Sequence, residues 1–222
     1  MTRELKTGRR APKSGKATSA VVFLHGYGAD GADLLSLADP LAPHMPDTVF
    51  YAPDAPEPCA ASPMGRQWFP IPWIDGSSEQ AARAGMLEAA DDLNAFLDKV
   101  LEDEALAPRD LILVGFSQGT MMSLQVAPRR DEAVAGVVGF SGRLLAPEAL
   151  AAEAKVKMPV LLLHGDADEV VPYGDLQLAA QALADAGFDT FTHTMEGTGH
   201  GISPDGLQQA FAFMSHLLKE RG

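Results

Sequence analysis

A serine becomes useful for acyl transfer only when its hydroxyl is forced outward and a neighbouring base can take its proton. Ser117 meets the first condition. It lies in Gly115-Phe116-Ser117-Gln118-Gly119, directly after the apolar run Leu111-Ile112-Leu113-Val114 and before a segment rich in Met, Leu and Gln. A strand, a tight turn and a helix in that order hold a serine on a strained corner, and the flanking glycines let strand and helix approach closely. The five-residue pattern alone recurs by chance. Its place between a buried strand and a helix makes it specific.

The base must be a histidine, and a carboxylate must hold that histidine in the right tautomer. Downstream of Ser117 stand His164, His193, His200 and His216. Only His200 sits in a glycine-rich turn, Gly197-Thr198-Gly199-His200-Gly201, after an expected last strand. His164 ends an apolar strand and His216 lies on the C-terminal helix, both positions for a hydrogen-bonded structural histidine; His193 alternates within a strand and reads as exposed. For the acid, Gly165-Asp166-Ala167-Asp168-Glu169-Val170-Val171-Pro172 follows an apolar run, so Asp166 and Asp168 both emerge at the edge of an open sheet where functional sites gather. Spacing does not separate the two.

An attacked carbonyl develops negative charge that preorganised N–H groups must meet. Gln118, the residue after the nucleophile, supplies one backbone donor, and Tyr27 in His25-Gly26-Tyr27-Gly28 supplies the other. His25 precedes the serine and reads as a brace for this loop.

The elements that must position these groups follow from periodicity. Apolar runs at 20–24, 48–52, 111–115, 134–140 and 160–164, with a weaker one at 190–195, read as strands buried on both faces. Amphipathic segments predict helices over 79–104, after Ser117, over 176–186 and over 207–219, with Ser77 and Gln80 capping the first. Strands alternating with helices give a mostly parallel sheet flanked by helices on both faces. Residues 53–76 differ: six prolines accompany Trp68, Phe69 and Trp73, which predicts a shaped loop. If it folds over the site, Trp68, Phe69, Met121 and Met122 line a substrate pocket.

A net charge of −13 repels phosphate backbones and argues against nucleic-acid partners. Residues 1–20 run the other way, with six basic residues against Glu4, so 1–18 reads as a flexible basic tail and 19–222 as a single domain. No apolar run approaches the ~18 residues of a membrane span, no leader-like apolar stretch precedes Ala20, and Cys59 is the sole cysteine. The expectation is a cytoplasmic protein without stable membrane insertion, its oligomeric state open, a homodimer included.

The segments His25-Gly26-Tyr27-Gly28-Ala29-Asp30, Gly115 to Gly119, Gly165 to Pro172 and Gly199-His200 together resemble the phospholipase/carboxylesterase family of α/β-hydrolases, which includes the acyl-protein thioesterases. The resemblance runs from about residue 19 to the C-terminus. It implies an α/β-hydrolase fold without a separate lid domain, Asp168 rather than Asp166 as the acid, His200 as the base, and neither cofactor nor metal. One departure stands in Gln67-Trp68-Phe69-Pro70, where family members commonly carry an aspartate after the aromatic pair.

The expected function is hydrolysis of short- to medium-chain carboxylic esters, with a small-molecule ester as substrate. The alternatives are a thioesterase or lysophospholipase acting on longer acyl chains, which a basic tail would help bring to anionic surfaces, and a ligand-binding protein that keeps the fold without turnover. A dienelactone hydrolase commonly carries cysteine at the elbow, where this chain has Ser117.

Overall fold

The computed structural model describes residues 2–220. Seven strands form one sheet in the order β1-β3-β2-β6-β7-β8-β9: β1 (Thr7–Arg10), β2 (Ser19–Leu24), β3 (Thr48–Pro53), β6 (Leu111–Phe116), β7 (Gly136–Phe140), β8 (Val160–Gly165) and β9 (Thr190–Met195). All neighbours run parallel except β1, which pairs antiparallel with β3. A two-stranded ribbon, β4 (Glu57–Pro58) and β5 (Arg66–Gln67), stands apart.

Because side chains alternate along a strand, each central strand feeds two cores. Val22, Leu24, Leu111, Leu113, Val137 and Leu162 face α4 (Glu79–Glu104), α5 (Gln118–Val126) and α7 (Gly174–Asp185). Val21, Phe23, Ile112, Val114, Val138 and Leu163 face α1 (Gly31–Leu35), α2 (Ala38–Leu41) and α8 (Pro204–Lys219). Two-sided burial is why these strands read as unbroken apolar runs. The short helices α3 (Pro72–Asp75) and α6 (Pro147–Glu153), each opened by a proline, complete the chain. Prolines are accepted there because the first helical N–H has no partner to lose.

The cap of α4 lies one residue later than expected. Ser78 Oγ accepts from Ala81 N–H at 3.1 Å, while the Ser77 N–H is occupied by the Asp75 carboxylate.

The N-terminus corrects the expectation of a tail. Residues 7–10 form the edge strand, Leu5 is buried, and Arg3 ties the segment to α4 through its backbone N–H (2.6 Å) and Nε (2.7 Å) to the buried Asp92 carboxylate. Arg3 also pairs with Glu57, Arg10 with Asp39, and Arg9 with Glu104 at 2.7 Å. With Lys6 at 3.9 Å from Asp54, four of the six basic side chains face carboxylates of the body. A strand of Thr, Gly and two Arg carries no apolar signal, because an edge pairs through its backbone.

Removing residues 1–10 is expected to cost at least the ~1.5–3 kcal/mol of burying one leucine, here Leu5. Urea unfolding checks this; an unchanged midpoint would return the segment to the status of a tail.

Candidate active site

Ser117 stands at the junction of β6 and α5 with φ 54° and ψ −115°, a conformation L-residues avoid, so the corner is held by its surroundings. The glycines supply the room. A Cβ on Gly115 would lie 2.4 Å from the Thr120 nitrogen, and one on Gly119 would lie 1.8 Å from the Leu24 carbonyl oxygen. Helix α5 therefore presses on the end of β2. Ser117 is 8% exposed.

His200 arrives on the loop after β9. Gly165, at the end of β8, lets this loop close in, since a Cβ there would meet the Thr198 carbonyl oxygen at 2.1 Å. The imidazole packs on the Phe116 ring, centroids 4.9 Å apart. Its Nε2 is 3.0 Å from Ser117 Oγ and its Nδ1 is 2.8 Å from Asp168 Oδ2. With Nδ1–H donating to the carboxylate, Nε2 is left free to accept from the serine hydroxyl.

The two aspartates separate clearly. The Asp168 side chain is fully buried, and its Oδ1 accepts the Val170 and Val171 N–H groups, each at 2.9 Å. Burial works to raise this carboxyl, but the bonds from His200, Val171 and Val170 outweigh it and hold the group below the usual carboxylate range. Exposed Asp166 accepts from Gly197 N–H at 2.7 Å and shapes the turn before His200.

The other histidines are engaged elsewhere. His164 Nε2 lies 2.9 Å from the Val171 carbonyl oxygen and 3.2 Å from Asp168 Oδ2, which braces the acid from behind. His193 is only partly exposed and pairs with Asp205 at 2.8 Å; His216 lies 3.5 Å from Glu220. His25 is fully buried, and burial lowers its pKa, so it is neutral: Nδ1–H donates to Gly26 O at 2.7 Å and Nε2 accepts from Ala55 N–H at 2.9 Å. With both nitrogens used, it braces the loop.

That loop sits against the serine. A Cβ on Gly26 would be 3.2 Å from Ser117 Cβ. Gly28 N–H donates to Arg66 O and Ala29 N–H to Gly26 O, while the Tyr27 N–H meets no acceptor among the described residues. Gln118 opens α5, so its N–H has no carbonyl one turn earlier. The Tyr27 phenol, pushed up to about 12 by burial and by Cys59 beside it, stays protonated, which leaves the backbone as this residue's contribution.

The Gln118 side chain does something the sequence did not announce. Its Oε1 accepts the Trp68 N–H at 2.8 Å and its Nε2 donates to Phe69 O at 2.8 Å. Trp68 Nε1 in turn donates to His25 O at 3.0 Å. Gln118 and Trp68 together thus join elbow, aromatic loop and histidine loop.

The pocket expectation divides. A cleft of about 340 Å³ runs beside α5, walled by Phe69, Ile71, Trp73, Met86 and Met121. Trp68 and Met122 have no exposed surface and lie outside it, in the core. Met122 is the neighbour of Met121 on the helix and faces another way, a distinction that residue type cannot make. None of Ser117, His200 or Tyr27 lines the cleft, which begins one helical turn beyond the serine at Met121.

Gly119→Ala is expected to destabilise the protein by about 1–3 kcal/mol, since its methyl meets backbone rather than a movable side chain. Chemical denaturation measures it, and loss of less than about 0.5 kcal/mol would show that α5 is not pressed on β2.

Comparison with known proteins agrees with this architecture. An acyl-protein thioesterase 1 of Gibberella zeae is 28% identical over 231 residues, covering 96% of this chain and 98% of that protein. A probable carboxylesterase of Oryza sativa subsp. japonica is 30% identical over 94% of this chain and 81% of its own length. Among solved structures, esterase PE8 superposes with a TM-score of 0.92 at 43% identity, covering 97% of this chain and all of that one. The sequence profile of the phospholipase/carboxylesterase family matches residues 10–218, beginning inside the segment expected to be a tail. The mostly parallel sheet, its helices and this match make the chain a member of the phospholipase/carboxylesterase family, with the α/β-hydrolase fold.

Proposed function

We propose that the protein is a serine carboxylesterase that hydrolyses short- to medium-chain carboxylic esters of small molecules through an acyl-enzyme on Ser117. Hydrolysis of esters is the general activity of the family to which the chain belongs. The observation that carries the reading is the unbroken run of hydrogen bonds from Asp168 through His200 to Ser117.

In this mechanism Ser117 Oγ attacks the acyl carbonyl as His200 Nε2 takes its proton, and Asp168 steadies the imidazolium through Nδ1–H. The Tyr27 and Gln118 N–H groups receive the oxyanion, each contributing about 3 kcal/mol by the usual scale of such donors. His200 then protonates the leaving alcohol. A water, deprotonated by the same nitrogen, attacks the acyl-serine and releases the acid. No step calls on a metal or cofactor.

A second reading, hydrolysis of longer acyl esters or thioesters, has one observation in its favour: the cleft continues well past the first turn of α5. The basic N-terminus no longer supports it, because Arg3, Arg9 and Arg10 are held by carboxylates of the body. A binding protein without turnover has no need of the buried, doubly amide-bonded Asp168.

Wild-type protein is expected to release p-nitrophenol from the butanoyl ester with a burst, and to take one fluorophosphonate adduct by intact mass. Ser117→Ala should lose the adduct and about four to six orders of magnitude in kcat/KM. Absence of both turnover and adduct in the wild type would favour the binding-protein reading, and a strong bias to the dodecanoyl over the butanoyl ester would favour the second.

The pH dependence follows from Asp168. Its lowered pKa means that its interactions stabilise the fold above the ordinary carboxylate range and are lost as the pH falls through the lowered value. The gap in unfolding free energy between wild type and Asp168→Asn should be widest near neutrality and close on acidification, as denaturation at stepped pH would record. Activity should separately rise across the interval of about pH 5–8 in which histidine ordinarily titrates, and an absent acid limb would count against a histidine base.

A further inference from the structure

The cleft beside α5 has an end. Ser117, Met121 and Gln125 fall four residues apart and form one stripe along the helix, leading away from the nucleophile. Above that stripe the walls are apolar: Phe69, Ile71, Met86, Met121, Leu145 and Ala149. Helix α5 then gives way to the tight turn Ala127–Arg129, and the Arg129 side chain reaches across to Glu153 at the end of α6. Beyond it lies a second cleft of about 520 Å³, polar rather than apolar, walled by Asn94, Asp98, Arg130, Asp131 and Lys155. Arg129 lines both clefts and so stands as the partition between them.

This partition is fastened. An arginine at a surface with one partner swings aside at little cost. Arg129 has three bonds: Nε and Nη2 donate to Glu153 Oε2 at 2.8 and 2.6 Å, and Nη1 donates to the Gln125 carbonyl oxygen at 2.9 Å. Its side chain is 18% exposed. The backbones that carry the pair are joined as well, since the Lys155 and Val156 N–H groups donate to Pro128 O at 2.8 and 3.2 Å.

Resting on the esterase reading, we propose that the Arg129–Glu153 pair is the end wall of the acyl cleft and the residue pair that sets the longest acyl chain the enzyme accepts. The length follows from where the wall stands. Arg129 folds back onto the Gln125 carbonyl, so the guanidinium lies two helical turns from Ser117, about 12 Å along the axis. An extended chain advances about 1.2 Å per bond, so roughly ten carbons fill the distance. A longer chain must turn out into water or part the guanidinium from its carboxylate. A methyl end offers nothing in place of those charge-assisted bonds, which are roughly twice as strong as neutral ones.

The test compares p-nitrophenyl decanoate with p-nitrophenyl tetradecanoate, both kept below micelle formation, on wild type, Arg129→Ala and Glu153→Ala. Each methylene that finds apolar wall is worth about fourfold in binding, and in the wild type the last four find none. The tetradecanoyl-to-decanoyl ratio of kcat/KM should therefore lie below one. Arg129→Ala joins the two clefts and should raise the ratio by about tenfold or more; Glu153→Ala, which frees the arginine without removing it, should raise it by less. Each ratio is taken within one protein, so a loss of folded material cancels. A wild-type ratio above one, or a ratio that both variants leave in place, would overturn the assignment.

Binding of the methyl ketones with the same alkyl chains, which cannot be hydrolysed, separates this proposal from the esterase reading. Trp73 lines the cleft, so tryptophan fluorescence reports occupancy. A preference for the shorter ketone that Arg129→Ala removes, in a protein that turns over no ester, would retain the wall and reject the hydrolase. Turnover of esters with the longer chain always favoured would do the reverse.

Discussion

The close approach of α5 to the end of β2 is the contact on which the site depends. With the Leu24 carbonyl against Gly119 and the Gly26 backbone against Ser117, three things are fixed by one packing event. The serine is raised on its corner, the first amide of α5 is aimed outward, and the loop after β2 is brought alongside. Any side chain at residue 119 larger than hydrogen would separate these groups together, since protein interiors do not yield by an ångström without loss elsewhere.

From that contact the rest of the site is laid outward by hydrogen bonds rather than by regular structure. Residues 53–76 contain too many prolines for a continuous helix, so their course is set by specific bonds: Gln118 to the backbone of Trp68 and Phe69, Trp68 to His25 O, and Arg66 to the Ala55 and Pro56 carbonyls at 2.8 and 2.7 Å. The departure at Pro70 has its own accommodation. A Cβ on Gly85 of α4 would meet Pro70 Cδ at 2.9 Å, so the ring seats against a glycine, while Asp75 takes the Ile71 and Ser77 amides at 2.9 Å each.

What the sequence revealed was whatever burial forces into a repeating pattern. The central strands and α4 were legible because both or one of their faces had to be apolar, and Ser117 and His200 because their turns require glycine and a fixed chain order. Asp168 was not separable from Asp166 by spacing, since both follow β8; only the side-chain directions, one inward to His200 and one outward to Gly197, tell them apart. Strand β1 carries no apolar pattern because Thr7 to Arg10 joins the sheet through its backbone and through polar side chains, Arg9 Nε donating to the Tyr51 hydroxyl at 3.0 Å. Aromatic residues in a loop suit a pocket wall, yet the Trp68 indole is spent within the core on His25 O.

The hydrogen-bonded run from Asp168 through His200 to Ser117 spans long stretches of chain: Ser117 and His200 are 83 residues apart, and Asp168 lies 32 before His200. Contacts of such separation are made late, after the intervening loops have closed. Helix α4 forms from near neighbours in the chain, whereas β2 must find β6 across the sequence, Val22 beside Leu113, so a refolding chain regains helicity before Ser117 Oγ and His200 Nε2 meet. On the proposed mechanism, reactivity toward an acylating probe times the arrival of the last strand and its loop, and makes this serine a clock for completed topology.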